Sequence, residues 1–294
     1  MKIAVIGNLG MLGTDLKACL EGAGHEVRGF DLPEMDITRK GQVESGLASE
    51  EVDLVINCAA YTAVDKAEEE VQLAFAINRE GTANLAAACV SLAIPLIHIS
   101  TDYVFDGTAS KPYREDDKAN PTGVYGRSKW EGEEAVRWSM NQYIIVRTAW
   151  LFGVHGPNFV RTMLRLARER EEIRVVNDQY GCPTWAADLA RALVAITGHM
   201  DKKGREVPWG TYHFCGRGHT SWHGFAEAIV EEGRRRETFR VAGVTPISTE
   251  EYPTAAQRPK WSVLDTKKIE EVFGIEPLSW RQGLRGMLDA LYGS

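Results

Sequence analysis

The sequence predicts an α/β fold with a doubly wound parallel sheet. In the first half, short β-rich apolar runs alternate with longer stretches of helical periodicity, and this alternation is typical of βαβ units. The predicted strands are 2–6, 26–30, 53–57, 95–100 and 143–148. The predicted helices between them are 11–21, 71–92 and 122–139.

The second half has helical spacing that glycine and proline interrupt densely. Its predicted helices are 158–171, 186–197, 221–236, 265–273 and 280–291, with strand-like residues in 207–215. We therefore predict a sheet domain over 1–150 and a smaller, loop-rich lobe over 151–294, some of whose elements return to the first domain.

Composition excludes several classes of protein. Of the 294 residues, 44% are apolar and 26% are charged, which is ordinary for a globular chain. A net charge of −7 gives no general attraction to nucleic acid or an anionic membrane. No apolar run reaches the roughly 20 residues of a membrane span. Five cysteines lie scattered, without a CxxC pair, which favours a reduced, cytoplasmic location over a disulfide framework or structural zinc.

Three glycines, Gly7, Gly10 and Gly13, follow the first predicted strand and open the first predicted helix. That context is typical of a dinucleotide-binding loop, in which backbone approaches a pyrophosphate at a helix N-terminus. The spacing is GxxGxxG rather than GxGxxG, so three turn or packing glycines are the alternative. A bound dinucleotide would make the predicted sheet Rossmann-type.

An acid at the end of the second predicted strand supports the same interpretation. Asp31 lies about 20 residues beyond the loop, where an acid accepts hydrogen bonds from the adenosine ribose; the alternative is an ordinary turn aspartate. An acid there disfavours a 2′-phosphate, although Arg28 and Arg39 are near in sequence. The predicted coenzyme is NADPH or NADH, with a physical preference for NADH.

The predicted chemistry lies at two later strand ends. Tyr125 and Lys129 are four residues apart and share one helix face, so the ammonium can lower the pKa of the phenol and suit it to proton transfer. Thr101 ends the fourth strand and can donate to the same carbonyl oxygen. Small residues after the third strand, Ala59 and Ala60, would let backbone lie against the coenzyme. Taken singly, each feature has an ordinary alternative. The Tyr–Lys pair could lie on the surface, the Thr101 hydroxyl could cap the end of the strand, and the two alanines could serve close strand packing.

Together these features resemble the extended short-chain dehydrogenase/reductase family. The resemblance runs along the whole chain and is most specific in Ser100–Gly107 (STDYVFDG) and Asn177–Thr184 (NDQYGCPT). It is strongest to the branch that reduces the C4 ketone of dTDP-6-deoxy-L-lyxo-4-hexulose. Related dehydratases carry an acid where Tyr103 stands, which favours simple reduction.

The resemblance implies roles for particular residues. Those that carry the chemistry would be Thr101, Tyr125 and Lys129. The nucleotide sugar would contact Thr101, Asp102, Tyr103, Trp150 and Arg258, the last as a diphosphate clamp. The coenzyme would contact Gly7, Gly10, Met11, Leu12, Gly13, Asp31, Asp36, Ile37, Ala59, Ala60, Tyr61, Thr62, Tyr125 and Lys129.

The resemblance also leaves alternatives open. These are another nucleotide-sugar 4-ketoreductase, an epimerase, or a non-catalytic regulatory subunit of methionine adenosyltransferase. Some related reductases bind Mg²⁺ through clustered acids at a homodimer contact. Here Asp15 matches one such ligand, but Ala187 stands where another would be, with Asp188 beside it. Because Mg²⁺ needs several oxygen ligands, no metal ligand is assigned, and a homodimer stays open.

Overall fold

A parallel β-sheet forms the centre of this computed structural model, which describes residues 1–201 and 206–293. The strands are β1 Lys2–Ile6, β2 Glu26–Phe30, β3 Leu54–Asn57, β4 Leu96–Thr101, β5 Tyr143–Thr148, β6 Leu151–Phe152, β7 Glu172–Val176, β8 Tyr180–Gly181, β9 Thr184–Trp185, β10 Gly210–His213, β11 Thr220–Ser221 and β12 Gly243–Ile247. The helices are α1 Met11–Gly22, α2 Lys40–Ala48, α3 Val64–Ala67, α4 Val71–Phe75, α5 Thr82–Leu92, α6 Val124–Ser139, α7 Phe159–Glu169, α8 Ala186–Met200, α9 Trp222–Arg234, α10 Lys267–Phe273 and α11 Trp280–Tyr292.

The central sheet has the strand order β10-β5-β4-β3-β1-β2, and every neighbouring pair is parallel. The chain leaves β1 for β2 on one side and resumes with β3 on the other. This reversal opens a crevice at the carboxyl ends of the strands, where open α/β sheets bind ligands. Gly7, Cys58 and Asp102 directly follow three of these strands, so the topology brings the predicted site residues to one edge.

Helices cover both faces of the sheet. On one face, Leu16 of α1 and Leu189 of α8 join a buried cluster with Val5 of β1. On the other, Leu85 of α5 and Val136 of α6 pack in a second cluster. The predicted doubly wound α/β class is therefore confirmed.

Much of the second half packs around a separate apolar cluster, which includes Val160 of α7, Phe225 of α9 and Leu284 of α11. Three short strand pairs flank it, namely β7 with β12, β6 with β9, and β8 with β11. Two later elements instead join the first half, since β10 pairs with β5 and α8 packs on α1.

Several elements differ from the sequence predictions. The predicted helix 71–92 consists of α4, a π-helical stretch Ala76–Gly81, and α5. Helices α2 and α3 and the short strands of the second half are not among the predictions. No helix in the two described ranges is long and apolar enough to cross a membrane.

Candidate active site

The glycine loop between β1 and α1 is shaped by close backbone approach. Gly7 has φ +77°, a conformation that side chains with a Cβ rarely adopt. A Cβ on Gly13 would lie 2.1 Å from the carbonyl oxygen of Gly7. Gly10 is the N-cap of α1 and is exposed, and no side chain caps the helix there. The first N–H groups of α1 therefore remain available to an anion, and the loop fits a pyrophosphate.

The next two loop residues turn their side chains towards protein. Leu12 is buried in the core cluster of α1 and β1. The side chain of Met11 packs towards Gly153, where a Cβ would meet its Cγ at 3.1 Å.

Asp31 faces the glycine loop from the end of β2. Its Oδ2 accepts a hydrogen bond from the Leu9 N–H at 3.1 Å. Arg28 is held elsewhere, because it donates to Glu50 at 2.9 Å and pairs with Glu34. This arrangement leaves the carboxylate of Asp31, rather than the guanidinium of Arg28, next to the loop.

Beyond β2, the predicted pair Asp36 and Ile37 is ordered by local contacts. Hydrogen bonding by Thr38 lowers the pKa of Asp36. Ile37 is buried, and its side chain fills the space beside Gly81, where a Cβ would meet it at 2.6 Å.

The loop after β3 is fixed by two asparagines. Asn57 accepts from the Ala59 N–H at 3.0 Å. Asn78, in the π-helical stretch, brackets Tyr61 by accepting from its N–H at 2.8 Å and donating to its carbonyl at 3.1 Å. Neighbouring Ala60 is half-buried and Thr62 is exposed. The predicted coenzyme residues Ala59 to Thr62 thus form a rigid strip beside the glycine loop.

Thr101 and Tyr125 lie together at the carboxyl end of β4. The buried Thr101 hydroxyl donates to Asp102 Oδ1 at 3.0 Å and accepts from the Tyr103 N–H at 3.2 Å. Burial raises the pKa of Tyr125 to about 12, although hydrogen bonding by Thr101 lowers it and the carboxylate of Asp102 raises it further. The phenol therefore keeps its proton at neutral pH.

Lys129 lies one turn further along α6 and is buried. Its Nζ donates to the carbonyl of Ile99 at 2.7 Å. Burial lowers the pKa of Lys129 to about 8, while Glu133 acts in the opposite direction. The sequence predicts that Lys129 lowers the pKa of Tyr125; in the structure, burial is the largest effect on that phenol and it raises the pKa.

Two predicted substrate residues enclose the same space. Asp102 is buried, its Oδ2 has no hydrogen-bond partner within the described chain, and burial raises its pKa to about 6. The ring of Tyr103 meets that of Tyr125 edge-on, with centroids 5.5 Å apart. An unpaired carboxylate oxygen beside a phenol can accept a hydrogen bond from a polyhydroxylated ligand.

The remaining predicted substrate residues are Trp150, which follows β5, and Arg258, which lies in the second half. Trp150 has φ +47°, and its indole stacks on Trp222 at 3.5 Å between centroids. Strained backbone of this kind persists only where surrounding contacts hold it. Arg258 donates to Asp65 Oδ2 at 2.7 Å, so its guanidinium is anchored beside α3 instead of being free in solvent.

The acids that could match a metal site do not fit one. Asp15 Oδ1 lies 3.5 Å from His155 Nε2, and burial raises the pKa of Asp15, although His155 and Arg191 act in the opposite direction. Asp188 pairs with Arg191 at 3.0 Å and accepts from the Leu278 N–H. Asp188 is thus committed to other partners, and the described residues place no group of three acids, histidines or cysteines together, whereas a hard divalent cation needs several oxygen ligands.

Sequence reasoning missed several residues that hold the site in place. They are Asp65, Asn78, His98, Glu133 and Trp222. Asp65 could have been suspected because it lies three residues after Thr62, which the resemblance places against the coenzyme. His98 and Glu133 could have been suspected because each places a polar group in an apolar stretch of strand or on the buried face of a helix.

Comparisons with known proteins agree with this architecture. The family described as RmlD substrate binding domain matches residues 1–292. A dTDP-4-dehydrorhamnose reductase of Aggregatibacter actinomycetemcomitans is 42% identical, over 97% of this chain and 98% of that protein.

Two solved structures are similar over nearly the whole chain. The first is a dTDP-4-dehydrorhamnose reductase of Clostridium acetobutylicum, with 42% identity, a TM-score of 0.92 and 99% coverage of both chains. The second is that of Bacillus anthracis in complex with NADP, with 38% identity, a TM-score of 0.91, and coverage of 98% of this chain and 99% of that one. The predicted resemblance is confirmed: the chain belongs to the RmlD substrate binding domain family, alongside these dTDP-4-dehydrorhamnose reductases.

Proposed function

We propose that the chain reduces the C4 ketone of dTDP-6-deoxy-L-lyxo-4-hexulose (dTDP-4-dehydrorhamnose) to give dTDP-L-rhamnose, with NADH or NADPH as the coenzyme. The observation that carries this proposal is that Thr101 and Tyr125 meet at the carboxyl end of β4, while Lys129, one turn further along α6, donates to the Ile99 carbonyl of the same strand. Close relatives that carry the corresponding name support the substrate.

The proposed coenzyme site runs from the glycine loop to the loop after β3. The N-terminus of α1 would receive the pyrophosphate, and Asp31 would accept from the adenosine ribose. Asp36, Ile37 and the strip Ala59–Thr62 would enclose the remaining nucleotide. The bound coenzyme would supply a hydride for the carbonyl carbon.

In the proposed reaction, Tyr125 gives its phenolic proton to the C4 oxygen of the sugar. The raised pKa of Tyr125 suits proton donation to the ketone oxygen, because the phenol is protonated before the reaction begins. The Thr101 hydroxyl polarises the same oxygen. Lys129, one turn from Tyr125, would bind the nicotinamide ribose and stabilise the phenolate that forms.

Residues from both halves would hold the nucleotide sugar. Asp102 offers its unpartnered Oδ2 to a sugar hydroxyl, Trp150 offers an apolar face, and Arg258 binds a diphosphate oxygen. We accordingly propose that residues 1–150 bind the dinucleotide and that 151–294 mainly form the substrate lobe. The five unpaired cysteines are consistent with the proposed cytoplasmic location.

The direct test is coenzyme oxidation by the purified chain with dTDP-4-dehydrorhamnose, run with NADH and NADPH in parallel. We expect oxidation that depends on the ketosugar, and one new C4 hydroxyl in the product by NMR. No oxidation with either coenzyme would refute the proposal, and a product with an unreduced ketone and inverted stereochemistry would identify an epimerase.

A further inference from the structure

Behind the site, β3 and β4 place two polar side chains next to each other in the interior. Asn57 and His98 are paired residues of the parallel ladder, and both are fully buried. The two side chains meet, with Asn57 Nδ2 3.1 Å from His98 Nδ1. Buried polar groups of this kind need defined hydrogen-bond roles.

The orientation of the Asn57 amide is fixed by a backbone group. The Ala59 N–H can only donate, and the atom it reaches, at 3.0 Å, must therefore be the amide oxygen. The amide atom that faces His98 is consequently the nitrogen, which is a donor. This assignment follows from donor and acceptor chemistry and is independent of how similar the two amide atoms look.

The asparagine in turn determines where His98 carries its proton. Because Nδ1 receives a hydrogen bond, it has a lone pair and no proton. Burial lowers the pKa of His98 well below its usual range, and Lys129 lowers it further, so the ring is neutral. A neutral imidazole without a proton on Nδ1 has it on Nε2. That nitrogen lies 3.4 Å from Lys129 Nζ.

We propose that Asn57 and His98 form a tautomer lock on Lys129: the lock presents the His98 Nε2–H to the lysine nitrogen and favours its unprotonated form, which accepts from His98 while donating to the Ile99 carbonyl. His98 and Asn57 are thus positioning residues that act through Lys129. The lock gives Lys129 a physical reason to release a proton more readily than an ordinary lysine.

Burial is the largest cause of the lowered pKa of Lys129, and the other groups near the lysine do not add to this effect. Glu133, one turn further along α6, favours the ammonium form of Lys129. Arg147 and Arg137 keep the Glu133 carboxylate ionised. The Cys58 thiol faces Lys129 from the loop after β3, and burial raises its pKa to about 12. The phenol of Tyr125 is protonated as well. In residues 1–201 and 206–293, the hydrogen-bonding contacts of Lys129 Nζ are the Ile99 carbonyl and His98.

The consequence for turnover rests on the proposed function. After Tyr125 has given its proton to the sugar oxygen, a proton from the Lys129 ammonium can reach the phenolate through a bridging water, so that one O–H bond forms on Tyr125 as one N–H bond breaks on Lys129. The amine that remains is the form that His98 stabilises. The lock would therefore ease the regeneration of the acid.

A second buried histidine provides an internal control. The Nδ1 of His213 lies 3.1 Å from the carbonyl oxygen of Tyr113, which can only accept, and its Nε2 faces the Arg147 Nη1 at 3.4 Å. Burial and the charge of Arg147 lower the pKa of His213 to about 3. His213 must therefore be the neutral Nδ1–H tautomer, opposite to the one inferred for His98.

The test is ¹⁵N NMR of the full chain labelled at histidine, at pH 7.5, without coenzyme or substrate. Signals are assigned with the variants His98→Gln and His213→Gln. We expect His98 to carry its proton on Nε2 and His213 on Nδ1. A proton on Nδ1 of His98, or on both nitrogens, would overturn the proposal, and this result leaves the proposed function untouched because no turnover is measured.

The variant Asn57→Asp tests the coupling to Lys129. The introduced carboxylate accepts from both the Ala59 N–H and His98, so we expect the His98 proton to move to Nδ1. Nε2 then accepts from Lys129, whose pKa should rise by about one unit or more, measured by titrating its ¹³C-labelled ε-carbon. The same substitution in the His98→Gln background measures the direct effect of the added charge.

An unchanged His98 tautomer in Asn57→Asp, or a Lys129 pKa that rises equally in both backgrounds, contradicts the lock. If the proposed function also holds, the alkaline limb of kcat moves to higher pH in Asn57→Asp, with a smaller change in the KM of the coenzyme. Should Asn57→Asp not fold, the wild-type spectrum alone decides the tautomer.

Discussion

At the scale of single residues, burial assigns different protonation states to the acids beside Thr101. Tyr125 has a raised pKa and is a phenol throughout the physiological range. Asp102 has a carboxyl group that titrates near pH 6. One residue is therefore prepared to donate a proton, whereas the other is prepared to accept a hydrogen bond above about pH 6.

The first prediction concerns the phenol. We expect Tyr125→Phe to lower kcat by about 10²- to 10⁴-fold, the range usual for loss of a general acid, while the Kd of NADPH measured by fluorescence stays within about twofold. Tyr252→Phe, at an exposed tyrosine, is the control and should retain wild-type turnover. Full turnover in Tyr125→Phe would remove this residue from the mechanism.

The second prediction concerns stability and Asp102. Because its native pKa, about 6, exceeds the unfolded value of about 3.9, the native state binds the proton more tightly. The free energy of unfolding therefore falls as pH rises from about 4 to 6, by up to about 3 kcal/mol. Asn cannot ionise, so Asp102→Asn should lack this fall.

Urea unfolding between pH 4.5 and 7.5 measures the effect. The difference in stability between wild type and Asp102→Asn should change across this range in favour of the variant at high pH. Asp116→Asn, at an exposed carboxyl, should track the wild type. Parallel pH profiles for wild type and Asp102→Asn would show that burial does not shift this group.

At the scale of elements, strands were easier to predict than the helices around the coenzyme loop. β1 and β5 have the predicted bounds, because a strand covered on both faces is an apolar run that ends abruptly; the half-buried edge strand β2 also has its predicted bounds. Helix α2 was missed because Val43 and Leu47 are its only buried residues. Neither the hydrophobic pattern nor the helix propensity of the sequence indicates the π-helical stretch. Its extra residue is stabilised by tertiary contacts of Asn78.

The third prediction follows from those contacts. Asn78 binds both backbone groups of Tyr61 and also donates to Ser128 Oγ at 2.9 Å, so it joins the coenzyme loop to α6. We expect Asn78→Ala to lower the free energy of unfolding by about 2–3 kcal/mol and to weaken NADPH binding.

Calorimetric titration and urea unfolding measure both effects. Asn84→Ala, which loses one hydrogen bond to the Ile37 carbonyl, is the matched control and should cost about 1 kcal/mol. Equal losses in the two variants would mean that Asn78 has no special role in ordering Tyr61.

At the scale of the whole molecule, the candidate site is built from residues far apart in the sequence. The glycine loop, Asp31 and the Tyr125–Lys129 pair could be predicted because each is local and has a recognisable spacing. The contact of Arg258 with Asp65 could not, since 193 positions separate them and only the folded chain joins them. The stacking of Trp150 on Trp222 likewise joins residues that are distant in the sequence and meet only in the folded chain.

The fourth prediction concerns that long-range contact. Asp65 Oδ2 accepts from Arg258 and its Oδ1 accepts from the Ala256 N–H at 3.2 Å. We expect Asp65→Asn to release the guanidinium and raise the KM of the nucleotide sugar roughly tenfold, or about 1.4 kcal/mol, with the Kd of NADPH unchanged. Steady-state kinetics with Glu276→Gln, from an exposed ion pair with Arg217, provide the control; an unaltered KM in Asp65→Asn would contradict the clamp.

The pairing of β10 with β5 also affects how the protein is made. During translation, β5 emerges from the ribosome more than sixty positions before its neighbour Gly210–His213. Until then the nascent chain presents a bare apolar strand edge, a known template for intermolecular association. Completion of the six-stranded sheet therefore has to wait until the later segment is synthesised.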